Sequence, residues 1–269
     1  MILPARDDSP GRAVIEIRDV VKIYGENTAS QVSALSGVNL TVRRGELIGL
    51  VGPSGCGKST LLNLVAGLDG FASGEIVVEG ERVAGPRRVG YIFQQDTLLP
   101  WRTVRGNAEF ALEIAGASAT ERWNIASGWL EKLGLGKFIS HYPHQLSGGM
   151  RKRLQLAAVL AAEPKILLMD EPFGALDAQT RTLIEDDFLR LWAETGMTVV
   201  FVTHDLAEAI AMCTRVVIIT ARPGRVKSQY DIDLPVELST TDRKLQRGFQ
   251  DLFSRIWADL RDEVGTRLE

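Results

Sequence analysis

Gly52-Pro53-Ser54-Gly55-Cys56-Gly57-Lys58-Ser59 is the stretch whose residue types and spacing carry the most chemistry. It matches G-x-x-x-x-G-K-[ST], with Thr60 next, and each position has a physical reason. Glycines let successive backbone N–H groups turn inward into an anion nest, and the helix that follows aims the positive end of its dipole at the same point. Lys58 then reaches the β- and γ-phosphates of ATP, and the Ser59 hydroxyl is a ligand for Mg2+. By chance alone the pattern arises in about one chain in a hundred of this length. A buried strand before it and a helix after it lower those odds further.

Two other places have the makings of chemistry. The run 166–170 is apolar and ends in Asp170 and Glu171, followed by Pro172. Two acids at a strand end are usually a solvated turn, but a phosphate loop elsewhere in the same sheet changes the reading. Asp170 fits the acid that holds Mg2+ in P-loop NTPases, and Glu171 is placed to polarise an attacking water as general base. His204, in Thr203-His204-Asp205, ends the next strand and would lie beside these acids on the carboxyl edge, where such sheets bind ligands. Ser147-Gly148-Gly149 opens a helix, so it is a second anion site in a different context.

The elements that must position these residues follow from periodicity. Strands are expected at 13–24, 35–42, 46–51, 74–80 and 89–93, with a turn at 43–45, a loop at 25–30 and a helix at 59–67. After Gln95 the texture turns helical, over 104–135 with breaks near 116–118 and 134, and again over 150–162 before Pro164. Strands at 165–169, 198–203 and 215–220 then alternate with helices, which implies a parallel sheet. The expectation is an α/β fold: a mostly parallel sheet with an antiparallel β subdomain and an inserted helical subdomain at about 96–162. Residues 1–12 read as a disordered lead-in, 13–230 as the main domain, and 231–269 as a tail. Within that tail Leu245, Phe249, Leu252, Phe253, Ile256, Trp257, Leu260 and Val264 form one helical stripe over 241–264. It either packs on its own domain, the reading favoured, or docks another subunit.

Composition sets limits. Hydrophobic residues make up 45% and charged residues 24% of the 269, the balance of a soluble globular protein. The net charge of −3 gives no global basic field, which argues against nucleic acid as a partner. Cys56 lies inside the glycine loop, where a disulfide would obstruct a ligand, so it and Cys213 are expected as free thiols in a reducing compartment. No apolar run approaches the ~20 residues that cross a bilayer, and the start of the chain does not read as a signal peptide. A cytoplasmic chain is expected.

Taken together these motifs resemble the nucleotide-binding subunits of ABC transporters, over about residues 14–230. Carried over residue by residue, 52–60 resembles the Walker A loop, 146–150 the family signature and 166–170 Walker B with Glu171 as catalytic base. Gln94 resembles the Q-loop glutamine that senses Mg2+ and the transporter, and 174–177 the D-loop. His204 resembles the switch histidine at the γ-phosphate, and Tyr24 the aromatic that stacks on adenine. Departures are Met150 and Lys152, each where Gln is usual, and Gly174 where Ser is common. None removes a catalytic group.

The resemblance implies a head-to-tail dimer in which Ser147, Gly148 and Gly149 of one copy complete the ATP site of the other. It also implies permease subunits touching the segment 94–101, a solute-binding protein, and a place on the cytoplasmic face of the membrane. The wording of 173–177, 94–101 and 221–225 is similar to the nitrate, sulfonate and taurine importer subgroup. Importers of pyrimidine precursors and aromatic acids share it. An exporter ATPase of the two-component type stays open as an alternative. A non-transport ABC ATPase would be expected to bring a coiled-coil insertion, tandem cassettes or a basic surface. A lone P-loop kinase or GTPase would not need Ser147 to Gly149. About forty residues follow Gly224, too few for an independent regulatory domain.

Overall fold

The structure is a computed structural model that describes residues 11–25 and 30–265, without the side chains of the last two. Most of the expected lead-in and most of the loop at 25–30 lie outside the described residues. The chain begins with β1 (Ala13–Tyr24), β2 (Val32–Arg43), β3 (Leu47–Val51) and α1 (Lys58–Ala66). β4 (Ser73–Val78), β5 (Glu81–Arg82) and β6 (Gly90–Ile92) follow, then α2 (Val104–Ile114), α3 (Ala119–Lys132) and α4 (Gly148–Leu160). Next come β7 (Ile166–Asp170), α5 (Ala178–Thr195), β8 (Thr198–Thr203), α6 (Leu206–Met212) and β9 (Arg215–Ile219). β10 (Val226–Asp231), α7 (Thr240–Leu245) and α8 (Arg247–Gly265) complete it.

Two sheets result. One is antiparallel in the order β2-β1-β4-β5, and the other runs β10-β9-β3-β8-β7-β6. In the second, β9, β3, β8, β7 and β6 are all parallel and only the edge strand β10 is antiparallel. The fold is therefore α/β, as the strand and helix alternation implies.

The central strands are apolar without alternation because both of their faces are covered. Ile48, Leu50, Leu168, Val200, Val202 and Val217 face α1 and the antiparallel sheet. Leu47, Val51, Leu167, Met169, Val199 and Phe201 face the helical layer. Each such side chain contributes about 1.5–3 kcal/mol on burial, so a polar replacement on either face is costly. The parallel strands end on one edge, which is how residues far apart in sequence come to share a site.

Between β6 and β7 the helices α2, α3 and α4 pack on one another through Val104, Ala108, Ala126, Leu130 and Leu154. Their starts are set by side-chain caps: Thr103 accepts from the Gly106 amide, Ser118 from Glu121 and Ser147 from Met150.

One edge strand was not expected and one expectation is corrected. The strand β10 was not legible, because an edge strand of half-buried and exposed residues, Lys227, Ser228 and Gln229 among them, lacks a buried face. The tail is not one helix: Gln246 adopts an extended conformation between α7 and α8. Leu245 is therefore left exposed, while Phe249, Ile256 and Leu260 dock into the core and Trp257 stays half-exposed. The Val264 side chain lies outside the described residues. Arg243, fully buried on α7, donates to the carbonyls of Met212, Cys213 and Leu234 and ties the tail down.

Candidate functional site

The loop after β3 closes on itself before α1 begins. Gly57 sits at φ 107°, and a Cβ there would lie 2.6 Å from Leu35 Cδ2, so only glycine fits both the dihedral and the space. Lys58 is 5% exposed, and its Nζ donates to the carbonyls of Gly52 at 2.7 Å and Pro53 at 3.0 Å. Buried Cys56 lies 3.8 Å from the same ammonium. Burial pushes the Cys56 thiol up despite that charge, so it is a packing group and not a nucleophile. Both cysteines are free, as expected.

Ser59 is the next residue of α1, and its hydroxyl donates to Asp170 Oδ1 at 2.9 Å. Asp170 ends β7 and is buried. Burial raises its carboxyl pKa; the Ser59 hydrogen bond opposes this, the Glu171 charge adds to it and Lys58 pulls it back. A cation beside Asp170 would relieve that desolvation.

Glu171 leaves the strand at φ +43°, the left-handed region, which costs a non-glycine residue about 1–3 kcal/mol. The turn is held by the Glu171 amide, which donates to the Val202 carbonyl at 3.0 Å. The adjacent parallel strands β6, β7 and β8 then deliver Gln94, Glu171 and His204 to a single point. Gln94 Nε2 donates to Glu171 Oε2 at 3.0 Å, and His204 Nδ1 lies 3.4 Å from the same oxygen. Behind His204, Asp205 caps α6 by accepting from the amides of Ala207 and Glu208.

At the other end Tyr24, the last residue of β1, places its hydroxyl 3.2 Å from Thr60 Oγ1, and Lys22 sits 4.5 Å over its ring. An open cavity of about 520 Å³ runs between these features. Tyr24 lines one end, Ser54, Gly55, Gly57, Lys58, Ser59 and Thr60 the middle, and Gln94 with Glu171 the other end. Gly52, Pro53 and Cys56 form the back of the loop. Ser147, Gly148 and Gly149 are not part of this lining; they open α4, with Ser147 Oγ accepting from the Met150 amide at 3.3 Å.

A family model described as ABC transporter matches residues 35–174. The chain belongs to the ABC transporter family. It is 43% identical to the nitrate import ATP-binding protein NrtD of Synechocystis sp. over 84% of this chain and 85% of that one. It is 48% identical to the taurine import ATP-binding protein TauB of Escherichia coli over 72% and 76%. Among solved structures, the dimeric bacterial ABC transporter cassette MJ0796 is similar at a TM-score of 0.72 and 34% identity, over 81% of this chain and 98% of that one. The same cassette has been solved in a post-hydrolysis state bound to ADP and Pi. The chain is thus an ATP-binding and ATP-hydrolysing cassette.

Sequence reasoning missed three residues that line the cassette's cavity: Val32, Ala34 and Arg222. The first two are unremarkable strand residues with no signal of their own. Arg222 had one, since it is a basic side chain in a Pro-Gly turn just past β9, on the carboxyl edge that such sheets use for ligands.

The segment after Gln94 is also held firmly. Asn107 of α2 accepts from the Leu99 amide and donates to the carbonyls of Leu99, Arg102 and Thr103. Asp96 meets Arg151 and Gln155 of α4 at 3.3 and 3.2 Å. Trp101 is left 72% exposed at the end of this braced segment.

Proposed function

We propose that the cassette works as one of a head-to-tail pair that powers a solute importer, for nitrate, sulfonate, taurine or a similar small solute. The observation that carries this is the separation of its two anion sites. Lys58, Ser59 and Glu171 line one cavity, with Asp170 hydrogen-bonded to Ser59, while Ser147 to Gly149 open a helix outside that lining. A second copy turned head to tail supplies the missing wall. The dimeric state of the solved relative and the import roles named for NrtD and TauB support the reading.

The geometry supports the following residue roles. Tyr24 stacks on adenine, and the amides of 52–60 with Lys58 take the phosphates. Glu171 accepts a proton from the attacking water, oriented by Gln94 and flanked by His204. Ser147, Gly148 and Gly149 of the second copy bind the γ-phosphate and exclude water.

The donors beside Asp170 suit Mg2+, since the Ser59 hydroxyl, the Asp170 carboxylate and the Gln94 amide all offer hard oxygens. Among the described residues no cluster of three or more His, Cys, Asp or Glu is placed to hold a metal. That accords with an ion that takes its other ligands from phosphate and water. Mg2+ there would neutralise phosphate charge.

The braced segment ending in the exposed Trp101 is the proposed seat of the permease subunits, and it begins at the glutamine that contacts Glu171. No helix of the described residues is long and apolar enough to cross a membrane. As an importer's ATP-binding subunit the cassette would sit peripherally, on the cytoplasmic face, held by those subunits. The test is reconstitution of the cassette with the permease and binding protein encoded beside it, in liposomes. Taurine- or nitrate-stimulated ATP hydrolysis supports the importer reading. Stimulation without any binding protein would refute it.

A further inference from the structure

The turn 221–225 connects two parts of the molecule that the catalytic scheme leaves unrelated. On one side it grips the phosphate loop: Arg222 Nε and Nη2 both donate to the Gly55 carbonyl, at 3.1 and 2.9 Å. Gly224 packs so closely behind the loop that a Cβ there would lie 2.2 Å from the Cys56 carbonyl oxygen. Its own backbone is fixed by exchange with β2, through the Ala34 carbonyl at 2.9 Å and the Ser36 amide at 3.0 Å.

On the other side the turn is held by the carboxyl-terminal helix. Glu263 of α8 accepts from the Ala221 amide at 2.9 Å, the residue just before Arg222. Lys227, at the start of β10, lies 2.9 Å from the same carboxylate. One turn earlier Asp259 accepts from Tyr230 at 3.0 Å, from Ser228, and from Lys227. Burial raises both carboxyl pKa values, yet hydrogen bonds from Lys227 and these neighbours hold Glu263 and Asp259 below their ordinary values. Both are therefore charged and engaged at neutral pH.

We propose that α8 is a positioning element of the nucleotide site. Glu263 fixes the turn 221–225, the turn places Arg222 on the Gly55 carbonyl, and that grip sets the affinity of the phosphate loop for ATP. Gly55 is exposed and in the left-handed region at φ 72°, and the two-pronged, charge-assisted contact of the guanidinium with its carbonyl fixes the loop at that point. The inference rests on the ATP site proposed above, and it gives the tail a role at that site.

Steady-state hydrolysis by the full chain, with ATP titrated, separates the possibilities. Arg222→Ala should raise KM for ATP about fivefold, more than it lowers kcat, and Arg222→Lys should recover part of the loss. Glu263→Ala should raise KM about two- to threefold, and the double variant should be no worse than Arg222→Ala alone, because both act on one contact. Trp257→Ala, on the half-exposed side of α8, serves as the control for general disturbance of the helix. A KM shift for Trp257→Ala equal to that for Glu263→Ala would overturn the proposal. So would additive effects of the two variants, or an unmoved KM for either one. Failure of the ATP-site reading itself would look different, since the parent chain would then show no saturable dependence on ATP.

Discussion

The loop 52–60 and the segment 147–149 are both glycine-rich helix starts, and they use the same backbone physics to attract an anion. Their surroundings differ in every other respect. The first is enclosed by β2, β7 and the turn 221–225, with Lys58, Ser59 and Arg222 each tied to a named partner. The second has its own Ser147 cap and an otherwise accessible helix end. A helix N-terminus alone recognises charge. A helix N-terminus with a lysine, two acids and a glutamine beside it does chemistry. On the reading proposed above, the contrast means that this chain builds one nearly complete half-site and presents the other half to a second copy.

Removing the base tests whether the first region performs the chemistry. Glu171→Gln keeps the shape and the Gln94 contact but takes away the proton acceptor, so kcat should fall about 10²–10⁴-fold. ATP binding should persist, and gel filtration with ATP should show an accumulated dimer. Near-normal turnover would remove Glu171 from the role of base. Ser147→Arg tests the second region from the opposite direction. A bulky cation at that helix start should cut hydrolysis about a hundredfold, comparable to losing an oxyanion donor, while the monomer's affinity for ATP stays within about twofold. Undiminished turnover would mean that each chain completes its site alone.

The two regions also bury a lysine each, and these lysines are handled differently. Lys58 is surrounded by loop carbonyls that accept its protons. Lys152, on α4 just behind the second anion site, is 9% exposed. Burial lowers its pKa to about 8, against the raising influence of Asp96. A lysine depressed below its ordinary value of 10.5 takes up protons more readily when unfolded. It therefore lowers stability below about pH 8 and weighs less as pH rises toward 10.5. Lys152→Met, of similar volume, should stabilise the fold at pH 7 by about 1–3 kcal/mol in urea titrations, with the gain shrinking above pH 8. A gain that does not vary with pH would show that packing, and not charge, is the cause.

How much of this was visible in the sequence follows the same division. The α/β fold was legible because β3, β7, β8 and β9 are continuous apolar runs, and buried parallel strands have no other way to look. The phosphate loop was legible because its chemistry demands particular residues at particular spacings. Gln94, Glu171 and His204 stand out one by one in the sequence, and the structure brings Gln94 and His204 to the same carboxylate oxygen of Glu171 at one sheet edge. Arg222 enters the sequence reading only within the family wording of 221–225 and not as a site residue, since its importance comes from what the turn touches. The break at Gln246 was hidden too, because the apolar spacing runs straight through it while α8 alone keeps the register that fits the core.

The smallest effect concerns Tyr24, and it sharpens the comparison at the adenine end. Tyr24 has two ways to contribute: its ring, 41% exposed and facing the cavity, and its hydroxyl on Thr60. Aromatic stacking is worth about 0.5–1.5 kcal/mol, a two- to tenfold change in affinity. The hydroxyl contact is solvent-exposed and contributes less. Tyr24→Ala should therefore raise KM for ATP by about that factor with little change in kcat, and Tyr24→Phe should behave like the parent. A defect in Tyr24→Phe as large as in Tyr24→Ala would assign the role to the Thr60 contact. Tyr24 would then belong to the phosphate loop's own bracing, as Arg222 does, and the adenine would need another face on which to lie.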